Sequence, residues 1–334
     1  MTSAQGQQHA ARVAFRRISM LKTAFGPVIA SALDDDNVTE IIANPDGALW
    51  IERAGIGRER ADGPMATADV ERIIRLVASA LDTVCDQEHP IISGELPGTG
   101  ERFEGVLPPV SSNPAFTIRK PSKIVIPLDD YVMAGVMMQR QAQVLRSAVC
   151  MRSSILIAGG TASGKTTLAN SLLAEIAEHN ERVVILEDTR ELRCEAKDSI
   201  ALRTSQRVTL EALVRSTMRL RPDRIIVGEV RGGEALDLMK AWNTGHPGGI
   251  ATIHANSAVL ALARLEQLIG ERSQSASQSL IAEAVDVVAF IEKTQEGRRV
   301  TEIIRVTGHD RQQGYMLEPA DAPELFIVNN GDHS

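Results

Sequence analysis

Residues Gly159 to Thr166 read Gly-Gly-Thr-Ala-Ser-Gly-Lys-Thr, and they follow the apolar run Ser154-Ile155-Leu156-Ile157-Ala158. A helix-forming stretch, Thr167-Leu168-Ala169-Asn170-Ser171-Leu172-Leu173, comes directly after. Strand, glycine-rich turn and helix in that order aim backbone N–H groups and the positive end of a helix at one anionic point. The glycines let the backbone approach a phosphate closely. Lys165 can reach β- and γ-phosphates, and the Thr166 hydroxyl can take a place on Mg²⁺. The expected binding set is Gly159, Gly160, Thr161, Ala162, Ser163, Gly164, Lys165, Thr166 and Thr167, for a nucleoside triphosphate, ATP, with Mg²⁺. A glycine-rich turn without a ligand would not need the full pattern in this setting.

At 334 residues the chain is long enough for two domains. Its net charge of −7 argues against a surface built wholly for nucleic acid. Cys85, Cys150 and Cys194 stand far apart and suggest neither a zinc ribbon nor a disulfide framework, which reads as a cytosolic protein. No run of 18 apolar residues offers a membrane span. Arg16-Arg17 ahead of a short apolar stretch imitates an export signal, but Lys22 and Pro27 interrupt it. An amphipathic helix is the better account, with Ile18, Leu21, Phe25, Val28, Ile29 and Leu33 at helical spacing.

The first part, residues 1–120, reads as a smaller mixed α+β domain. Val38 to Ala43 and Ala48 to Glu52 flank Asn44-Pro45-Asp46-Gly47, a hairpin pattern. A helix over Ala68 to Leu81 carries Val70, Ile73, Ile74, Val77 and Leu81 on one face, and strands follow at Arg102 to Leu107 and Ala115 to Arg119. Pro121 and Pro127 mark residues 121–130 as a hinge, and the tail after Pro323 looks polar. From 131 onward strands alternate with helices, the sign of an α/β domain with a mostly parallel sheet. Its strands are expected at Ser154 to Ala158, Arg182 to Glu187, Ala201 to Thr204, Arg224 to Glu229 and Gly249 to His254, with a helix over Thr209 to Leu220.

Two strands end in carboxylates, where open α/β sheets place ligands. Glu187, in Glu187-Asp188, can orient or deprotonate a water, or be a solvated strand end. Glu229, after Gly228, can hold Mg²⁺ and its waters beside the loop, with Gly228 letting that strand end pass close to it. His246 and His254 flank the last strand at a separation that is not a helical zinc spacing, and either can hydrogen-bond a γ-phosphate or, taken singly, be a core or surface imidazole. Phosphoryl transfer wants positive charge on the equatorial oxygens. The candidates are Arg102, Arg119, Arg219, Arg221 and Arg224, and spacing does not choose among them.

Phosphate loop, Glu187-Asp188 box, Gly228-Glu229 strand and two-histidine box, in that order, resemble the secretion and traffic ATPases. These are ring-shaped, RecA-like motors of type IV secretion, type IV pilus and type II secretion systems. The fit is closest to the conjugal-transfer, TrbB-type members, and Asp36 to Gly47 with Leu49-Trp50 resembles their first-domain hairpin. Gly100-Glu101-Arg102-Phe103 and Thr117-Ile118-Arg119-Lys120-Pro121 resemble their nucleotide-facing arginine segments. The resemblance implies catalytic roles for Lys165, for Glu187 on the water, for Glu229 on Mg²⁺ and for His254 on the γ-phosphate. It also implies Arg102 and Arg119 as a nucleotide clamp, and Arg219 with Arg221 as fingers across a subunit boundary. A RecA-like domain under a smaller α+β domain, ATP between them and a homo-hexameric ring are expected. So are inner-membrane and coupling components of a conjugative channel as partners, and a cytoplasmic place that extends to peripheral contact with the inner membrane face. A pilus or type II assembly ATPase, a nucleotide-gated scaffold and a DNA-translocating motor are the alternatives, the last disfavoured by 3% aromatic content.

Overall fold

A computed structural model describes residues 3–121, 125–205, 207–272 and 278–321, with side chains from Arg16 onward. The chain divides into two compact units, Met1–Lys123 and Ile124–Ser334. The expected hinge at 121–130 includes residues 122–124, which lie outside the described residues, as does the tail after Pro323.

In the first unit, α1 (Ser3–Asp34) and α2 (Thr67–Ala80) accompany a six-stranded sheet. Its strands are β1 (Val38–Ala43), β2 (Leu49–Arg53), β3 (Gly57–Arg60), β4 (Ile91–Glu95), β5 (Arg102–Val106) and β6 (Ala115–Arg119), in the order β3-β2-β1-β6-β5-β4 with antiparallel neighbours. Alternation along the strands sends Ile41, Phe103 and Ile118 into a core completed by Ile73, Ile74 and Val77 of α2. The β1–β2 turn closes as its residues dictate. Gly47 takes φ +80°, its N–H bonds the Asn44 carbonyl, and the Asp46 carboxylate accepts the N–H of Ala48.

Helix α1 contributes Leu21, Phe25, Ile29 and Ala32 to that core. Val28, expected on the same face, is 43% exposed. A kink at Gly26, φ +67°, next to Pro27 shifts the register of the buried stripe. Lys120 ends this unit's sheet chemistry. Its buried ammonium donates to the carbonyls of Ala32, Leu33 and Asp35 at 3.2, 2.6 and 2.7 Å, closing the C-terminal end of α1.

The second unit opens with α3 (Leu128–Met133) and α4 (Gln139–Cys150), so its helical packing begins inside the expected hinge. Then β7 (Ile155–Gly159), α5 (Lys165–Ala177), β8 (Arg182–Glu187), β9 (Asp198–Arg203), α6 (Leu210–Thr217), β10 (Arg224–Val230), α7 (Glu234–Asn243) and β11 (Ile250–His254) alternate. Helices α8 (Ala258–Gly270) and α9 (Gln278–Ala284) precede β12 (Val287–Thr294), β13 (Gly297–Asp310) and β14 (Gly314–Pro319). The sheet order is β14-β13-β12-β7-β11-β10-β8-β9. Strands β12 through β9 are parallel neighbours, while β13 and β14 run antiparallel at one edge. Continuous apolar runs in β7, β8 and β10 fit a sheet covered on both faces, with separate cores above and below it.

Candidate functional site

The carboxyl ends of β7, β11, β10 and β8 are neighbours in the sheet, and the residues that carry chemistry gather there. The phosphate loop leaves β7 at Gly159 and enters α5 through Gly164, whose φ of +105° only glycine adopts at low cost. A Cβ on Gly159 would lie 2.2 Å from the Ile291 carbonyl oxygen, so that glycine is required by packing. The Lys165 ammonium is buried and donates to the carbonyls of Gly159 (3.0 Å) and Gly160 (2.8 Å). Thr167, in the first turn of α5, accepts the Ser171 hydroxyl hydrogen bond at its carbonyl.

His254 ends β11 opposite Gly159 of β7. Its Nδ1 lies 3.5 Å from Lys165 Nζ and its Nε2 2.9 Å from Glu229 Oε1. Partial burial and the Lys165 and Arg231 charges hold the imidazole below its ordinary pKa, against the opposing pull of Glu229. The neutral ring that results has one consistent assignment from its partners: Nδ1 accepts from Lys165 and Nε2–H donates to Glu229. Arg231 holds the second Glu229 oxygen and lies 3.7 Å from Asp188 Oδ2. The backbone of Arg231 is itself fixed, because buried Glu234 accepts its N–H at 2.6 Å and that of Gly232 at 2.8 Å.

At the end of β8 the two expected acidic neighbours part company. Glu187 is 3% exposed, and its Oε1 accepts the N–H groups of Glu191 (2.9 Å) and Leu192 (2.7 Å). Asp188 accepts the Thr204 hydroxyl at 2.9 Å. Glu191, which sequence reasoning passed over, accepts the Thr166 hydroxyl at 3.2 Å. Its signal was present as a carboxylate four residues beyond the strand end, but only the turn back toward α5 gives that spacing meaning. Gly228 also has a different partner from the one expected: a Cβ there would meet Glu187 Cγ at 3.1 Å.

The remaining candidates separate by place. Arg224 is a buried structural residue, donating to Glu181 and to the carbonyls of Gly248 (3.1 Å) and Val149 (2.8 Å), and this removes it from the exposed finger candidates. Arg219 and Arg221 are exposed near the amino end of β10, whereas the phosphate loop stands at the carboxyl ends. His246, whose Nδ1 is 3.0 Å from the Pro222 carbonyl, also belongs to that opposite end. In the first unit, Arg102 and Arg119 are direct cross-strand partners of β5 and β6, on the sheet face away from Phe103 and Ile118. Arg119 Nε lies 4.0 Å from Glu40 on the next strand.

Thr166, Glu191 and Glu229 offer hard oxygen donors, the kind Mg²⁺ accepts. Among the described residues no group of three or more His, Cys, Asp and Glu side chains forms a cage. Mg²⁺ is commonly held through one or two carboxylates with phosphate oxygens and waters, and the oxygen donors of Thr166, Glu191 and Glu229 are of that kind.

The family model for "Type II/IV secretion system protein" matches residues 25–309. The "Conjugal transfer protein TrbB" of Rhizobium radiobacter is 54% identical over 305 residues, 91% of this chain and 94% of that protein. The "Probable conjugal transfer protein TrbB" of Sinorhizobium fredii is 56% identical over 293 residues, covering 87% and 90%. Among solved structures, the pilus retraction motor PilT with bound ADP matches with a TM-score of 0.59 at 19% identity, over 89% of this chain and 80% of that one, which speaks to fold. With the matched region spanning both units and the phosphate loop, the chain belongs to the type II/IV secretion system protein family.

Proposed function

We propose that this protein is an ATP hydrolase that powers pilus biogenesis or substrate transfer in a conjugative type IV secretion system. The observation that carries the reading is the polar chain Lys165, His254, Glu229, Arg231 along neighbouring strand ends, with Glu191 on the Thr166 hydroxyl beside it. The TrbB proteins of conjugal transfer, similar over nine-tenths of the chain or nearly so, support the biological setting.

Lys165 exchanges its two loop carbonyls for β- and γ-phosphate oxygens, and the loop amides hold the remaining charge. Thr166, together with Glu229 once one of its oxygens leaves His254 or Arg231, would hold Mg²⁺, which neutralises phosphate charge when bound. His254 passes the position of Lys165 to Glu229. Glu191 orients and deprotonates the attacking water, while Glu187, with one oxygen committed to two backbone amides, shapes the turn that presents Glu191. Arg219 with Arg221 act on a neighbouring subunit's site in a homo-hexameric ring.

The working place is the cytoplasmic face of the inner membrane, next to channel and coupling components. No described helix is long and apolar enough to cross a membrane. The first 33 residues carry Arg12, Arg16, Arg17 and Lys22 and no acidic residue, and Arg16, Met20 and Lys22 are exposed on α1. A basic segment on an otherwise acidic chain supports peripheral contact with anionic lipid.

ATP hydrolysis measured across a protein dilution series, with mass from light scattering at each point, tests the whole reading. Turnover confined to a large assembly and absent in Lys165→Ala is expected. Equal turnover in wild type and Lys165→Ala would sink the site assignment, and turnover by a monodisperse monomer would sink the ring.

A further inference from the structure

The β12–β13 hairpin lies against the phosphate loop, and the contact centres on an arginine outside every motif considered so far. Arg298 stands at the start of β13, paired across the hairpin with Lys293. Its Nε donates to the Ala162 carbonyl, 3.3 Å away and 136 residues distant in sequence. Ala162 sits in the middle of the loop with φ +57°, a left-handed conformation that a residue bearing a Cβ holds only when its surroundings enforce it.

The surroundings here are the hairpin. A Cβ on Gly164 would meet Arg298 Cδ at 3.1 Å and Ile291 Cδ1 at 3.3 Å, and Gly159 is pressed in the same way on the Ile291 carbonyl. Two loop glycines thus answer to hairpin packing. Arg298 is exposed and makes no second hydrogen bond among the described residues, so its charge and its other N–H donors stay at the rim of the loop.

We propose that Arg298 is a positioning residue for the nucleotide. Acting within the same chain through the Ala162 carbonyl, it holds the loop in its phosphate-binding shape. Because Ala162 precedes Lys165, the effect falls on the part of the loop that any nucleoside diphosphate or triphosphate uses. ADP and ATP therefore lose affinity alike when Arg298 is removed. The inference rests on the phosphate-loop reading and adds a residue to it.

The test is equilibrium binding of ADP and of ATP to wild type, Arg298→Ala, Arg298→Lys and Lys165→Ala, with thermal unfolding of each ligand-free protein. Loss of one charge-assisted hydrogen bond predicts a weakening of about tenfold for both nucleotides in Arg298→Ala. Arg298→Lys, which can still donate to Ala162, should recover most of it. The ligand-free melting temperature should stay at the wild-type value, and the defect should appear in KM more than in kcat. Wild-type ADP affinity in Arg298→Ala, with binding lost in Lys165→Ala, overturns this inference alone. Lost affinity that tracks lost ligand-free stability and is not recovered by lysine also overturns it. A wild type that binds neither nucleotide overturns the phosphate-loop reading and this one together.

Discussion

The Glu187 carboxylate accepts the backbone N–H of Glu191 at 2.9 Å, so the residue that closes β8 fixes the turn carrying the next carboxylate. Glu191 in turn accepts the Thr166 hydroxyl at 3.2 Å, which ties that turn to the start of α5. One glutamate is buried and committed to amides; the other faces the group expected to meet the metal. The two can be told apart by conservative substitution. Glu191→Gln should lower turnover by roughly 10²- to 10⁴-fold, the usual contribution of a general base, with ATP binding retained. Glu187→Gln keeps a carbonyl oxygen for both amides and should retain a far larger share of turnover. Steady-state kinetics of both variants beside nucleotide-binding curves decide the matter, and the reverse ranking would return the water to Glu187.

Lys165 is buried, and its known partners include the Gly159 and Gly160 carbonyls and His254, so its truncation strips the loop of its mobile charge. Lys165→Ala should abolish the nucleotide-dependent rise in melting temperature. For an intact site at 100 times Kd that rise corresponds to about 2.7 kcal/mol. A shift in the variant equal to wild type would refute the role.

Lys120 makes a stability prediction remote from the phosphate loop. Its ammonium serves three carbonyls at the end of α1, and methionine would fill its volume while leaving them without that donor. Lys120→Met should destabilise the first unit by about 1 to 3 kcal/mol, the range for buried groups left unsatisfied. Arg72→Ala, which removes an exposed pair with Asp69, should cost roughly 0 to 1 kcal/mol. Denaturant titration followed at a probe in the first unit compares the two, and similar costs would show that Lys120 is not the cap described.

Asp286 carries the pH prediction. Its Oδ2 accepts the Ser154 N–H at 2.7 Å, and burial, the larger effect, pushes the carboxyl above the usual aspartate value. A carboxyl raised in the folded state contributes stability below its unfolded pKa and loses it as pH rises through the folded one. Asp286→Asn keeps an oxygen for Ser154 and removes the charge. It should therefore raise the melting temperature at neutral pH, with the advantage shrinking as pH falls toward and below the ordinary aspartate pKa. An advantage that grows toward acid would contradict the assignment.

Sequence carried the local chemistry furthest. The phosphate loop, its strand and its helix are written in consecutive residues, because φ-permissive glycines and a helix start are properties of neighbours along the chain. The hydrophobic periods of β1, α2, β8 and β10 were legible for the same reason, as was the Asn44 to Gly47 turn. Val28 was misplaced because Gly26 and Pro27 break the helical period that the count assumed. Strands β12, β13 and β14 went unread, since their meaning lies in pairing with β7 and with one another rather than in any motif.

The chemistry that depends on distance was decided by the tertiary fold alone. Strand order β7-β11-β10-β8 brings His254 to Lys165 and Glu229 across gaps of 89 and 25 residues, and it sends Arg219, Arg221 and His246 to the other end of the sheet. Which of two nearby glutamates faces Thr166, and which arginine holds Ala162, follows from the turn after β8 and from the β12–β13 hairpin. A single sequence records the side chains available to a site. Parallel pairing, which joins residues far apart in the chain, determines which of them meet.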